Sequence, residues 1–309
     1  MSMKSMYGDN SKSYSASKRV KSTLIFIFLV IISLICILPI YFLVINSTRT
    51  SPDISSMGVS LVPGSIEAFK DNWYILFEGR YKETIDIVEG FKNSAIVTIT
   101  STVLMILVSC LTAYGMVVYD FKLKAASYTF IIAVMMVPTT VTATGYSTMV
   151  YDVNHILRSI TGNEELMIHG ELWTLILPSI AAPAIVFFMR QYMKSTFPLD
   201  LVEAARIDGA KEFRTFATIA LPIMKPAIAT QSIFAFVSKW NDLYTAQILL
   251  SGEDRTLPMM IQSVKNNKQQ NDVGPAWLAI ALSVIPMVIA YIILSKFIIG
   301  GVTAGGVKE

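Results

Sequence analysis

Charge is scarce in this chain. Only 15% of its 309 residues are Asp, Glu, Lys or Arg, against roughly 25% in a soluble globular domain. The charges also arrive in clumps separated by long uncharged runs, the pattern of repeated bilayer crossings rather than of one water-soluble core. A net charge of +3, with no basic run interleaved with aromatics, leaves no nucleic-acid signal. Cysteine is nearly missing: Cys36 and Cys110 both fall inside apolar runs and read as buried free thiols, which say nothing of compartment. The two histidines, His155 and His169, lack tight metal-ligand spacing, so no metal is expected. No Ser/His/Asp or paired-carboxylate set lies in the apolar regions, and no G-x-x-x-x-G-K-[ST] phosphate loop occurs. ATP hydrolysis by that route is excluded, and the chain reads as a non-enzyme.

What is present is apolar length. Six stretches approach or exceed the 20 or so apolar residues that a helical span requires: 22–45, 93–119, 125–150, 172–189, 226–250 and 277–295. The expected fold is therefore all-α and integral to the lipid bilayer, with six transmembrane helices across 22–300. The first stretch is too long for a signal-peptide core and lacks a small-x-small cleavage site after it, so it reads as a retained anchor. Residues 1–21 form a Ser-, Tyr- and Lys-rich tail whose first 17 residues lack apolar period, expected to be disordered; 301–309 form a second tail. Placing the N-terminus inside puts 15 Lys and Arg on the cytoplasmic side and 9 outside, with Lys239 in the membrane. Both termini are therefore expected to be cytoplasmic. Outside, 65–77 reads as a short helix with Phe69, Trp73, Leu76 and Phe77 near one face.

The one substantial cytoplasmic loop is 190–225. Asp200 with Glu203 three residues on is capping-box-like, so a short helix is expected over 201–208. Gly209 is placed to end it in the left-handed conformation, and a second helix follows from about Lys211 until Pro222 interrupts it. Val202, Ala204, Ala205, Ile207, Phe213 and Phe216 give this knuckle small apolar faces suited to docking into a partner's groove, with an ordinary surface linker as the alternative.

The run Glu203-Ala204-Ala205-Arg206-Ile207-Asp208-Gly209-Ala210, ending in Leu221-Pro222, resembles the EAA motif of permease subunits in binding-protein-dependent ABC importers. Phe188-Met189-Arg190-Gln191-Tyr192 resembles the segment entering that motif in the sugar-transporting branch. Lys239-Trp240-Asn241-Asp242, Arg255-Thr256-Leu257-Pro258 and the ending Thr303-Ala304-Gly305-Gly306-Val307-Lys308 are similar to further elements of maltose-permease-like subunits. The resemblance implies the type I ABC importer permease architecture with a cytoplasmic coupling-helix loop. It implies that Glu203, Ala204, Ala205, Arg206, Asp208 and Gly209 couple to a separate ATPase dimer, which binds the ATP and Mg. It further implies a second, different permease subunit in a heterodimer and an external sugar-binding protein, in a bacterial or archaeal cell membrane. The solute would be a di- or oligosaccharide. The glycine-rich tail at 300–306 reads either as a frayed end or as a segment reaching the ATPase interface.

Ionisable residues at membrane depth are costly and are functional candidates by default. Lys239 lies fourteen residues beyond Lys225, about 20 Å along a helix, and can pair with Asp242 on the same face. Trp240, Asn241 and Tyr244 add a ring surface, an amide and a hydroxyl, which suit sugars; a structural or gating pair is the alternative. In the third stretch Pro138 and Gly145 break helix regularity, so Thr139 and Thr142 either line a polar path or bond back to their own helix. An ion-coupled secondary transporter should need carboxylates deep in several spans, and only Asp242 qualifies.

Overall fold

The computed structural model describes residues 4–163, 170–250, 254–267 and 272–305, with side chains from 18 to 298. Within these residues the chain is helical and forms no β-strand. In order the helices are α1 (Lys4–Asn46), α2 (Ser51–Met57), α3 (Ile66–Phe77), α4 (Ile87–Val118), α5 (Lys124–Met135), α6 (Thr139–Thr161), α7 (Trp173–Ser179) and α8 (Pro183–Thr196). There follow α9 (Asp200–Ile207), α10 (Glu212–Thr215), a π-helical turn Phe216–Ala220, α11 (Leu221–Trp240), α12 (Leu243–Leu249), α13 (Leu257–Lys265) and α14 (Val273–Gly305). His169 and the end of the tail, residues 306–309, lie outside the described residues.

Among the described residues, five segments are long and apolar enough to cross a membrane: Val20–Asn46, Ile87–Val118, Trp173–Thr196, Glu212–Trp240 and Val273–Ile298. The sixth is a broken one. Between Met135 and Thr139 the backbone bends by 97°, where the expected span was continuous. Pro138 explains the break: it has no N–H to donate, and its ring disfavours helical backbone at Val137. The fourth span is also jointed, with Pro183 at the start of α8, and it runs on to Thr196, seven residues past the expected end. Arg190, expected to open the loop, is instead buried in α8, its guanidinium 3.6 Å from the centre of the Tyr128 ring. The fifth span starts and ends earlier than expected: Asn241 and Asp242 interrupt it, and α12 is a separate short helix.

Both tails also differ from expectation. The backbone is helical from Lys4, where a disordered tail was expected, and α14 continues through the tail glycines to Gly305. Extending an existing helix adds one hydrogen bond per residue fixed, without a new nucleation cost.

Helices α4, α8, α11 and α14 form the packed centre, with α4 against α8 and α11, and α11 against α14. Buried Ser94, Thr98, Ser101, Thr102, Ser109 and Ala113 make a stripe of small residues on α4. In a bilayer, lipid is as apolar as leucine, so helices associate through close van der Waals approach and small residues permit it. Helix α1 lies outside this centre against α14, with none of its apolar window buried. Cys36 on α1 is exposed, contrary to expectation, whereas Cys110 on α4 is fully buried. Helix α1 thus stands at the periphery of the bundle.

The short helix expected at 65–77 forms as α3, with the Ser65 hydroxyl accepting from Ala68 N at its start. Trp73 packs against Phe69 and Phe77, and Leu76 is buried. On this side of the molecule Asp272 pairs with Arg80 and accepts a 2.7 Å hydrogen bond from Tyr81. Burial, reinforced by that bond, pushes the Tyr81 hydroxyl up to about 12.

Candidate functional site

At the opposite end, α8 and α11 are joined by a compact knuckle. Pro198 and Leu199 lead directly into α9, and Leu199 already has helical backbone angles. Leu199, immediately before the helix, is not extended and makes no side-chain cap bond, so the capping box expected from Asp200 and Glu203 does not form; Asp200 is simply the first helical residue. Among the described residues the Glu203 carboxylate has no partner and is exposed. The exit matches expectation. Gly209 sits at φ +75°, with Gly209 N donating to Arg206 O and Ala210 N to Ala205 O. That pair of bonds is a Schellman closure, which favours a residue without Cβ at its left-handed position.

The faces of α9 divide cleanly. Val202 is buried in this chain's own core with Phe197, Met193 and Phe216, and Ala205 is buried on the same helix. Ala205 therefore lets α9 lie close on its own subunit and is turned away from any partner. Outward lie Leu201, Ala204, Arg206, Ile207 and Asp208. Ile207 is 86% exposed and Phe213, just beyond, 72%. Ile207 and Phe213 are thus large apolar side chains left open at the end of the helical bundle.

The second short helix is cut differently from the expected 211–220. Four residues of α10 pass into the π turn and then without interruption into α11. Pro222 does not stop the chain: it follows directly on the π turn, where the helical hydrogen-bond ladder is already interrupted, and α11 continues beyond it.

Sequence reading missed the groups that hold this knuckle in place. Glu212 accepts from Arg206 Nε at 2.8 Å, from Tyr119 OH at 2.7 Å and from Tyr114 OH at 3.4 Å. The Arg206 guanidinium also lies 5.7 Å from the Tyr119 ring centre. The tyrosines stand at the end of α4, more than ninety residues away in sequence, so no local pattern signals the contact.

The membrane-depth cluster is part of the fold more than of a cavity. Lys239 and Asp242 do pair, at 3.7 Å. Asp242 also accepts from Thr245 N and so starts α12. Trp240 is buried, stacked on Phe236 at 5.9 Å and donating from Nε1 to Ser283 O at 2.9 Å. The ring proposed for sugar stacking is therefore occupied in locking α11 to α14. Asn241 and Tyr244 remain exposed. A small cavity beside the pair is lined by Ser94, Thr98 and Thr256 together with Val97 and Leu175, and the buried Thr98 and Thr256 hydroxyls have no protein partner among the described residues. In α6, Thr142 bonds back to Thr139 O at 2.8 Å. Both threonines are exposed at the bend, so the back-bonded arrangement is the one found for Thr142.

Comparison with known proteins now fits this geometry. The family described as binding-protein-dependent transport system inner membrane component matches residues 105–303, which contain the whole knuckle. The arabinooligosaccharides transport system permease protein AraQ of Bacillus subtilis is 31% identical, over 91% of this chain and 94% of that protein. The melibiose/raffinose/stachyose import permease protein MelC of the same organism is 28% identical, over 88% and 91%. A chain of the crystal structure of a bacterial ABC transporter involved in the import of the acidic polysaccharide alginate superposes with a TM-score of 0.70 at 17% identity, covering 91% of this chain and 97% of that one. That likeness establishes the shared fold. A membrane bundle with an exposed α9 knuckle, matched by the family across that whole region, belongs to the binding-protein-dependent transport system inner membrane component family.

Proposed function

We propose that the chain is one of two different permease subunits in an ATP-driven importer for di- or oligosaccharides. The observation that carries this reading is α9: a short helix on the membrane bundle, closed by Gly209, presenting Leu201, Ala204, Ile207 and Asp208 outward. Such a face suits a groove in a separate ATPase dimer. That dimer binds ATP and Mg, while this chain binds no cofactor of its own and receives the mechanical stroke. Arg206 belongs to this site in a different role, since its guanidinium is engaged by Glu212. Sugar as the solute is supported by the relatives, whose names specify oligosaccharide transport. An external sugar-binding protein would deliver the solute, and the α9 end would face the cytoplasm, consistent with the Lys and Arg bias. Both termini then lie in the cytoplasm of a bacterial or archaeal cell.

Reconstitution tests the reading. The chain, its partner permease, the ATPase and the binding protein in liposomes should take up labelled oligosaccharide only when ATP is supplied. Uptake that persists without the ATPase would instead indicate a self-sufficient transporter, and ATP-driven uptake of a non-sugar solute alone would remove the sugar assignment.

A further inference from the structure

We infer that Glu212 and Tyr119 are positioning residues for transport: they clamp the coupling helix to the cytoplasmic end of α4, so that displacement of α9 is delivered along α4 to the external segment around Arg255. The inference rests on the proposed ATP-driven function and adds the route by which the stroke crosses the membrane.

Three elements that reach the knuckle could carry a displacement. Helix α8 is jointed from α7 at Pro183. Helix α11 begins after a π-helical turn and holds Pro222 and Pro226 in its first two turns. Prolines and π turns interrupt the hydrogen-bond ladder and are where helices bend. Helix α4 has neither. Its 32 residues contain no proline and extend about 48 Å at 1.5 Å per residue. It is the one unbroken rod of the three.

Both ends of the rod are attached by specific bonds. At the cytoplasmic end a single carboxylate, Glu212, collects Arg206 of α9 and the Tyr119 and Tyr114 hydroxyls of α4. Tyr114 packs edge-on against Phe216 with ring centres 5.3 Å apart, on the floor of the same knuckle. At the external end Asn93 Nδ2 donates to Arg255 O at 3.1 Å, and Leu257 N donates to Ser94 Oγ at 2.8 Å. Both α4 residues are buried. Gly90 completes the seat: a Cβ there would come within 2.4 Å of Met260 Sδ. A shift of α4 therefore has to move the start of α13 with it. The Arg206–Glu212 pair is about two-fifths exposed on each side, and exposed pairs contribute little to stability. Its evident effect is to fix where α9 stands relative to α4.

The test uses the complete importer in liposomes, with Glu212→Gln, Tyr119→Phe and the double variant. Two quantities are read: sugar transported per ATP hydrolysed, and the ATP-dependent displacement of a spin label at Lys265→Cys on α13. Each single variant should lower the transport ratio by about 2- to 30-fold, the range expected when a coupling contact is lost, with smaller label displacement. ATP hydrolysis should persist. The double variant should be no worse than Glu212→Gln alone, since both residues serve one link. Lys92→Ala, which breaks an exposed pair with Glu89 on the same helix, should leave both readouts unchanged. Proportional loss of uptake and hydrolysis, or an unchanged label displacement, would overturn the inference. Should Glu212→Gln fail to assemble, Tyr119→Phe, which removes one hydroxyl, decides alone. Absence of ATP-driven uptake in the unsubstituted importer would instead refute the underlying function.

Discussion

At the residue scale the clearest constraint is Gly209. Its φ of +75° lies in the left-handed region, which costs an ordinary L-residue about 1–2 kcal/mol and asparagine less. A Cβ there would meet nothing within 4 Å, so backbone strain within this chain can be separated from steric clash. Gly209→Asn should therefore retain more sugar uptake and more co-purified ATPase than Gly209→Ala, while the permease pair still assembles with either. Equal loss for both would place the cause at the partner's surface. This residue was legible in the sequence because the need for φ > 0 is local and glycine answers it. Glu212 was not, because its partners arrive only when α4 is folded against the knuckle. A second prediction concerns Tyr81. Its hydroxyl is raised to about 12 by burial and by Asp272, from an ordinary 10.0. A raised folded value means that its stabilising contribution is complete below about pH 10 and is lost as the pH rises towards 12. Tyr81→Phe should abolish that alkaline loss and lower stability at neutral pH by about 1.5–3 kcal/mol, the usual worth of a hydrogen bond to a charged group. Thermal unfolding in detergent from pH 8 to 11.5 measures both.

At the scale of elements, the apolar runs overlap the five helices long and apolar enough to cross a membrane and the bent α5–α6 pair, but do not mark the joints. A run of twenty apolar residues is required by bilayer thickness whatever the neighbours do, so the spans could be read directly. Helix ends depend on tertiary contacts. Helix α8 runs on to Thr196 because Met189 and Met193 are fully buried against the knuckle. Helix α11 ends at Trp240 because Asp242 starts a new helix. The lock between α11 and α14 is testable here. Trp240→Phe keeps a ring near Phe236 but loses the bond to Ser283 O, so it should destabilise the subunit by about 0.5–1.5 kcal/mol without changing the KM for sugar. A raised KM with unaltered unfolding would return Trp240 to the translocation path.

For the whole molecule, the proposed heterodimer decides what the partly exposed polar groups at the end of α11 mean. Lys239 and Asp242 are each about one-fifth exposed, and Tyr244 is half exposed. A charged pair of this kind is expensive in lipid and belongs against protein or water. Under the proposed function, the pair would therefore lie on the side of the bundle that meets the second permease or the solute path. Its geometry favours gating over sugar contact, because Asp242 is already engaged by Lys239 and by Thr245 N. Asp242→Asn keeps the carbonyl that Thr245 N needs and removes the charge that holds Lys239. The expected outcome is a changed basal rate of ATP hydrolysis in the absence of sugar, with the KM for sugar uptake altered by less than about twofold, since no binding group is lost. Tyr244→Ala, which trims an exposed ring, should do the reverse if that ring lines the path. An unchanged basal rate together with lost sugar uptake in Asp242→Asn would show that the carboxylate touches the solute.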